Sequence, residues 1–324
     1  MKPLLCLLAF LFALPAGAGG YAGREDVQAF IAEMQDKHGL DAARLTALFA
    51  QTRPLPAVLK LIAPPSDARV RSWQSYRARF IEPRRLAAGR AFMRRHAATL
   101  AKAQAVSGVP AEIIAAIIGI ETFYGRHLGD FDVFAALTTL AFDYPPRAAL
   151  FRRELEALLL LAHEEGRAPD GYRGSYAGAM GLAQFLPSSI RAYAVDFDDD
   201  GRIDLTRNAA DAIGSIANFL KAHGWQSDGP IAVPVKLGPG ATAPEALLAE
   251  GILPQRRPRE MEDFGVEAPP DAPDAPAALI DLVTPEAPTE YWLGYQNFYV
   301  LTRYNRSSFY ALAVHLFAEA LRKR

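Results

Sequence analysis

Ile113, Ile117 and Glu121 recur at every fourth residue in the stretch that follows Pro110. On an α-helix that spacing puts the acid on the same face as the isoleucines, where the core should be. A carboxyl pressed against apolar surface resists ionisation, so its pKa rises toward the range of a general acid near neutral pH. The same spacing also fits a helix-end glutamate that is exposed or paired with Arg126. Pro110 is expected as the first residue of the helix, with Glu112 in its acidic first turn.

Two loops carry the remaining chemistry. Residues 174–189 place small residues at 174, 177, 178, 179 and 181 around Ser175, Tyr176, Gln184 and Phe185. Small residues let the backbone approach a ligand or a packed helix closely. Hydroxyl, amide and aromatic groups together suit sugars, which present hydroxyl edges and apolar ring faces; a tight turn into a helix is the plainer explanation. Further on, Asp196, Asp198, Asp200 and Asp204 fall at positions 1, 3, 5 and 9 of a loop with Gly201 at position 6. That is the start of a calcium loop of the EF-hand kind, with the carbonyl of Arg202 at position 7. The pattern breaks at position 12, where Arg207 stands in place of a glutamate, and Asp211 is the acid available to close the shell. A structural calcium ion is expected, against the alternative of a solvated acidic turn. Residues 163–165 do not form a zinc helix, residues 174–178 do not form a serine-nucleophile elbow, and no phosphate-binding glycine loop is present.

The elements that must hold these groups are mainly helical. Asp41 and Ser307 suit helix N-caps, Gly39 and Gly224 suit helix ends, and prolines at 54, 64 and 65 punctuate the first stretch. We expect an N-terminal helical region over residues 24–106, a core over 107–229 containing the aspartate loop 196–211, a small β-containing insert over 230–288, and a return to the core over 289–324. Short β-compatible pieces at residues 231–237 and 278–283 mark the insert. The arginines at 84, 85, 90, 94 and 95 could mark a polyanion site, but alternating with Leu86, Phe92 and Leu100 they are expected on a solvated helix face. With 324 residues, 51% of them hydrophobic, the chain can bury a large core. Its 35 basic and 36 acidic residues leave a net charge of −1, which argues against nucleic acid as a partner.

Residues 1–18 are predicted to be a cleaved signal peptide: Lys2, an apolar run over residues 4–14, and Ala16-Gly17-Ala18 as a small-residue cleavage site. Cys6, the single cysteine, lies inside that run without a lipid-attachment context, so a periplasmic protein without a lipid anchor is expected. No later stretch is apolar for long enough to span a bilayer.

The residues at 118–125, 134–143, 151–155 and 174–189, the loop from Asp196, and those from Tyr291-Trp292 to Tyr304-Asn305 together resemble the lytic murein transglycosylase B family. The resemblance covers nearly all of the chain after the leader. It implies a lysozyme-like helical fold and a peptidoglycan lytic transglycosylase that acts on glycan strands as a monomer, without a catalytic cofactor. Glu121 then corresponds to a single catalytic acid/base. Ser175, Gln184, Tyr304, Asn305 and Tyr310 correspond to groups lining the cleft, with Tyr176 and Phe185 added as ring-holding candidates. Asp196, Asp198, Asp200, Arg202 and Asp211 align with a metal loop. A hydrolytic muramidase and an inactive wall-binding scaffold remain the alternatives.

Overall fold

The computed structural model describes residues 20–64, 72–238 and 244–323. The export leader, its cleavage site and Cys6 therefore lie outside the described residues. Local chemistry explains most helix boundaries. The helix Glu25–His38 starts on Glu25 and Asp26 and stops where Gly39 turns left-handed at φ 66°. Asp41 caps Ala42–Gln51 by accepting from the N–H groups of Ala43 and Arg44, and the Ser307 hydroxyl caps Ser308–Arg322 by accepting from Tyr310 N.

The helix Ala111–Thr122 runs through the middle of the molecule. Pro110 stands one residue outside it, with ψ 140°, as the N-cap rather than the expected first helical residue. Ile113, Ile114, Ile117 and Ile118 are all at most 1% exposed, and residues from Ile113 to Ile120 are buried on every side of the helix. A helix that is apolar all round must sit inside a protein. Its neighbours are Pro83–Arg95, Ala97–Ser107, Ala209–Ala222 and Ser308–Arg322. Beside them, Val133–Asp143, capped by Asp132, packs against Ala148–Glu164.

Pro83–Arg95 departs from the solvated face expected of it. Arg84, Arg94 and Arg95 are exposed, but Arg85 and Arg90 are half-buried. Arg85 donates to the carbonyl of Gly119, and Arg90 to those of Ala320 and Lys323. Both arginines thus serve the C-terminal ends of neighbouring helices, where unpaired carbonyls attract cations.

A four-stranded antiparallel sheet has the order Val266–Glu267, Ala232–Leu237, Glu290–Tyr295, Ala277–Leu282. Two strands match the β-compatible pieces read from the sequence to within a residue. Glu290–Tyr295 was not foreseen, and it lies between them: Leu293 pairs with Val233 on one side and Leu279 on the other. Val235, Leu247, Met261, Val266, Leu279, Leu293 and Tyr295 form an apolar cluster of their own beneath this sheet. A second, two-residue ladder pairs Phe131–Asp132 with Arg173–Gly174 and joins the segment after Glu121 to the start of the glycine-rich loop. Among the described residues no single helix is long and apolar enough to cross a membrane.

Candidate active site

Glu121 lies in the last turn of Ala111–Thr122. The helix ends by turning Phe123 and then Tyr124 into the left-handed region, at φ 51° and 58°. The turn is held by Phe123 N donating to Gly119 O (3.1 Å), Tyr124 N to Ile118 O (3.4 Å) and Gly125 N to the Thr122 hydroxyl (3.0 Å). Glu121 keeps part of its surface open, as a group that meets a substrate must, while protein crowds its carboxyl and strips it of water. Burial pushes that carboxyl up to about 7, and a hydrogen bond from Tyr310 pulls the other way. Tyr310 Oη donates to Glu121 Oε1 at 2.7 Å. Arg126 is not the partner of Glu121; its guanidinium lies over the Phe123 ring, 4.7 Å from the centroid.

Tyr310 comes from the start of the C-terminal helix, and its ring is stacked on Tyr304 at 6.3 Å and 10°. Tyr304 Oη donates to the carbonyl of Ala183 at 2.5 Å, and its ring packs against Phe185 and Phe219. Burial, with the Glu121 charge adding to it, drives both phenols well above their ordinary range. They stay neutral donors and do not compete for the proton on Glu121.

Ala183 belongs to the glycine-rich loop, so the two tyrosines bind that loop to the acid. A Cβ on Gly174 would meet the carbonyl of Ala179 at 2.3 Å, so the loop can fold back on itself here because this residue is glycine. Gln184, itself at φ 48°, donates its amide to the carbonyls of Leu128 (3.1 Å) and Gly181 (3.0 Å). Ser175 Oγ accepts from Ala179 N (3.0 Å) and Ala177 N (3.3 Å), inside its own loop. Tyr176 is half-buried against the main core. Asn305 is exposed at the end of Gln296–Tyr304 and accepts from Ser307 N at 2.7 Å through its carbonyl. Phe185 corrects the sequence reading: at 3% exposure its ring is part of the core beneath Tyr304, and it offers no face to a sugar.

One buried acid escaped the sequence analysis. Glu154 is 5% exposed and accepts from both Ser188 N (3.0 Å) and Ser188 Oγ (2.7 Å). It thereby caps the helix Pro187–Tyr193 that follows the glycine-rich loop. Its signal was the one that marked Glu121: Glu154 stands three residues after Phe151 and four before Leu158, both buried.

In the aspartate loop, carboxylate oxygens of Asp196, Asp198 and Asp211 all lie within 4.8 Å of one another. Asp211 has no exposed surface and accepts from Phe197 N (2.9 Å) and Asp204 N (2.8 Å). Burial raises its pKa, and the charges of Asp198 and Asp196 push the same way. Three converging oxygens with uncompensated like charge fit a hard divalent cation. Asp200 stands outside the group and accepts from Arg202 N at 2.9 Å. Arg207 is held by Asp204, its Nε donating at 2.9 Å.

A mainly helical body thus presents one desolvated carboxyl, that of Glu121, beside neutral hydroxyls and amides. The chain belongs to the transglycosylase SLT domain family, which matches residues 22–319. It is 39% identical over 321 residues to the membrane-bound lytic murein transglycosylase B of Escherichia coli, covering 94% of this chain and 84% of that protein. Among solved structures it is similar to the catenated lytic transglycosylase SltB1 from Pseudomonas aeruginosa, at 43% identity and a TM-score of 0.86, over 94% of this chain and 99% of that one. It is likewise similar to the Escherichia coli lytic transglycosylase Slt35 in complex with calcium, at 38% identity and a TM-score of 0.81, over 94% of this chain and 95% of that one. The mainly helical, lysozyme-like fold expected from the resemblance is the one observed.

Proposed function

We propose that the enzyme is a peptidoglycan lytic transglycosylase that breaks the β-1,4 bond between N-acetylmuramic acid and N-acetylglucosamine, with Glu121 as its single acid and base. The observation that carries this reading is the Glu121 carboxyl, pushed up to about 7 and bonded to Tyr310 alone among the side chains of the described residues. Protonated Glu121 gives its proton to the glycosidic oxygen as the bond to the muramoyl anomeric carbon breaks. The N-acetyl group of the same sugar stabilises the cationic carbon, as in substrate-assisted glycosidases that dispense with a second carboxylate. Glu121, now ionised, takes the proton of that sugar's 6-hydroxyl. The hydroxyl oxygen closes on the anomeric carbon, leaving a 1,6-anhydro end and a reprotonated acid. No water is consumed.

The other site residues serve binding and placement in this reading. Tyr310 holds the carboxyl in position, and Tyr304 fixes Tyr310 and the loop through Ala183. Gln184, Ser175, Asn305 and Tyr176 face the sugars with neutral groups. Asp196, Asp198 and Asp211, helped by Asp200 and the carbonyl of Arg202, would hold a calcium ion that ties their loop to the helix Ala209–Ala222; its contribution is structural. The Slt35 complex with calcium supports that assignment. We also place the enzyme in the periplasm, exported by the leader, and treat the sheet and its small core as an insert in the catalytic body.

The test is digestion of purified sacculi with mass spectrometry of the released muropeptides. Anhydro ends from the wild type and none from Glu121→Gln are expected. Reducing ends would make it a hydrolytic muramidase, and no release at all would make it a binding protein.

A further inference from the structure

The turn that ends the Glu121 helix carries an unusual arrangement of charge. Phe123 and Tyr124 are consecutive left-handed residues, a conformation that favours glycine, and each costs about 1 kcal/mol there. Gly125 follows them instead of preceding them. What the strain places is the Phe123 ring, which lies under two guanidinium groups at once: Arg85 at 4.5 Å and Arg126 at 4.7 Å from its centroid.

The molecule contains a second ring of this kind. Phe142 also lies under two arginines, Arg24 at 5.7 Å and Arg152 at 5.0 Å. There the charge is answered: Asp26 reaches Arg24 at 2.8 Å and Arg152 at 3.8 Å, and Asp143 accepts from Arg24 and from Tyr21. At Phe123 no carboxylate of the described residues comes within 4 Å of either guanidinium. Arg85 donates to the Gly119 carbonyl, and its buried Nε has no hydrogen-bond partner. Glu82, the acid that acts on Arg85 from a distance, spends its oxygens on the N–H groups of Arg84 and Arg85. Arg126 is exposed and makes no side-chain hydrogen bond among the described residues.

We propose that the Arg85–Phe123–Arg126 stack is an anion subsite beside the catalytic acid, and that its ligand is a carboxylate of the peptide stem attached to the glycan strand. This rests on the reading of the substrate as peptidoglycan. Where stems are attached, the lactyl carboxyl of muramic acid is tied up as an amide, so the backbone sugars are neutral and the free carboxylates lie on the stems. The bound carboxylate takes the place that Asp26 holds at Phe142, and Arg126 supplies its exposed fork. Arg85 adds charge from below while anchoring the Glu121 helix.

The experiment compares kcat/KM on uncrosslinked strands that keep their free stem carboxylates with the same strands whose stem carboxylates have been converted to amides. For Arg126→Ala the ratio of the two is expected to fall about tenfold, which is about 1.4 kcal/mol, mainly through KM on strands with free stem carboxylates. Arg126→Lys keeps the charge without the fork and should fall between Ala and wild type. Arg126 is the residue to change because it is exposed and anchors no helix. A ratio the same in Arg126→Ala as in the wild type would overturn the subsite while leaving the proposed function intact. Wild-type enzyme that forms anhydro ends on neither polymer would remove the proposed function and the subsite with it.

Discussion

Glu121 and Asp211 are two acids withdrawn from water in one molecule, each with its pKa raised by burial, and their surroundings differ sharply. Among the described residues Glu121 has a single phenol for a side-chain partner and no second acid bonded to it, so a proton is what would relieve it. Asp211 has two backbone N–H donors and two further acids converging on it, an arrangement that would suit a doubly charged cation better than a proton. Burial alone does not choose between proton and metal; the number of neighbouring oxygens does.

The largest effect that tests this contrast is at Glu121. Glu121→Gln should lower the rate of anhydromuropeptide release by about a thousandfold or more, as loss of a positioned acid does. The same variant should be more stable than the wild type at pH 8. The folded carboxyl binds its proton at about 7 against an ordinary 4.5, so its stabilising contribution is complete below about pH 4.5 and disappears as pH rises through 7. Ionising it costs up to about 3 kcal/mol, a cost the amide escapes. Melting curves of both proteins at pH 5 and pH 8 measure this; a variant no more stable at pH 8 than at pH 5, relative to wild type, would break the comparison.

Asp211→Asn tests the other side. Calcium at a hundred times its dissociation constant should stabilise the wild type by about 2.7 kcal/mol, and chelation should remove the gain. In the variant calcium should leave the melting temperature unchanged. A wild type indifferent to calcium would show that three converging aspartates are tolerated without a metal.

Glu154 extends the contrast to a third buried acid, one supplied with two donors from Ser188. Glu154→Ala should cost about 2 kcal/mol in denaturant unfolding, because Ser188 N and Oγ lose a charged acceptor. Loss within 0.5 kcal/mol would mean that water replaces the carboxylate there.

The smallest expected effect is a displacement of the pH profile. The Tyr310 hydrogen bond favours the ionised form of Glu121, so Tyr310→Phe should move the alkaline limb of kcat, where the acid is lost near pH 7 in the wild type, to higher pH. A limb displaced downward would mean that the phenol stabilises the protonated acid instead.

Much of this is legible in the sequence. Spacing by four pointed Glu121 into the core, Asp41 and Ser307 announced their caps, and the aspartate loop showed its oxygens with Asp211 beyond the usual length. Phe185 misled because flat residues among glycines look the same whether they line a cleft or lie beneath it. Glu290–Tyr295 was missed because its aromatic residues fit a helix as well as a strand; its place in mid-sheet depends on partners 56 to 62 residues earlier. The arginines of Pro83–Arg95 could not be sorted by sequence, since the carbonyls that Arg85 and Arg90 find belong to other helices.

The amino-acid order by itself decided which faces are apolar, where helices start and stop, and that a single glutamate would fall on a dry face, because those depend on neighbours within one turn. The tertiary structure alone decided that Tyr310, 189 residues from Glu121, would be its partner, that Asp26 would neutralise one arginine pair, and that the other would stay unanswered. A carboxyl's affinity for its proton is set by dielectric and charge within a few ångströms. At that distance most of its neighbours come from remote parts of the chain.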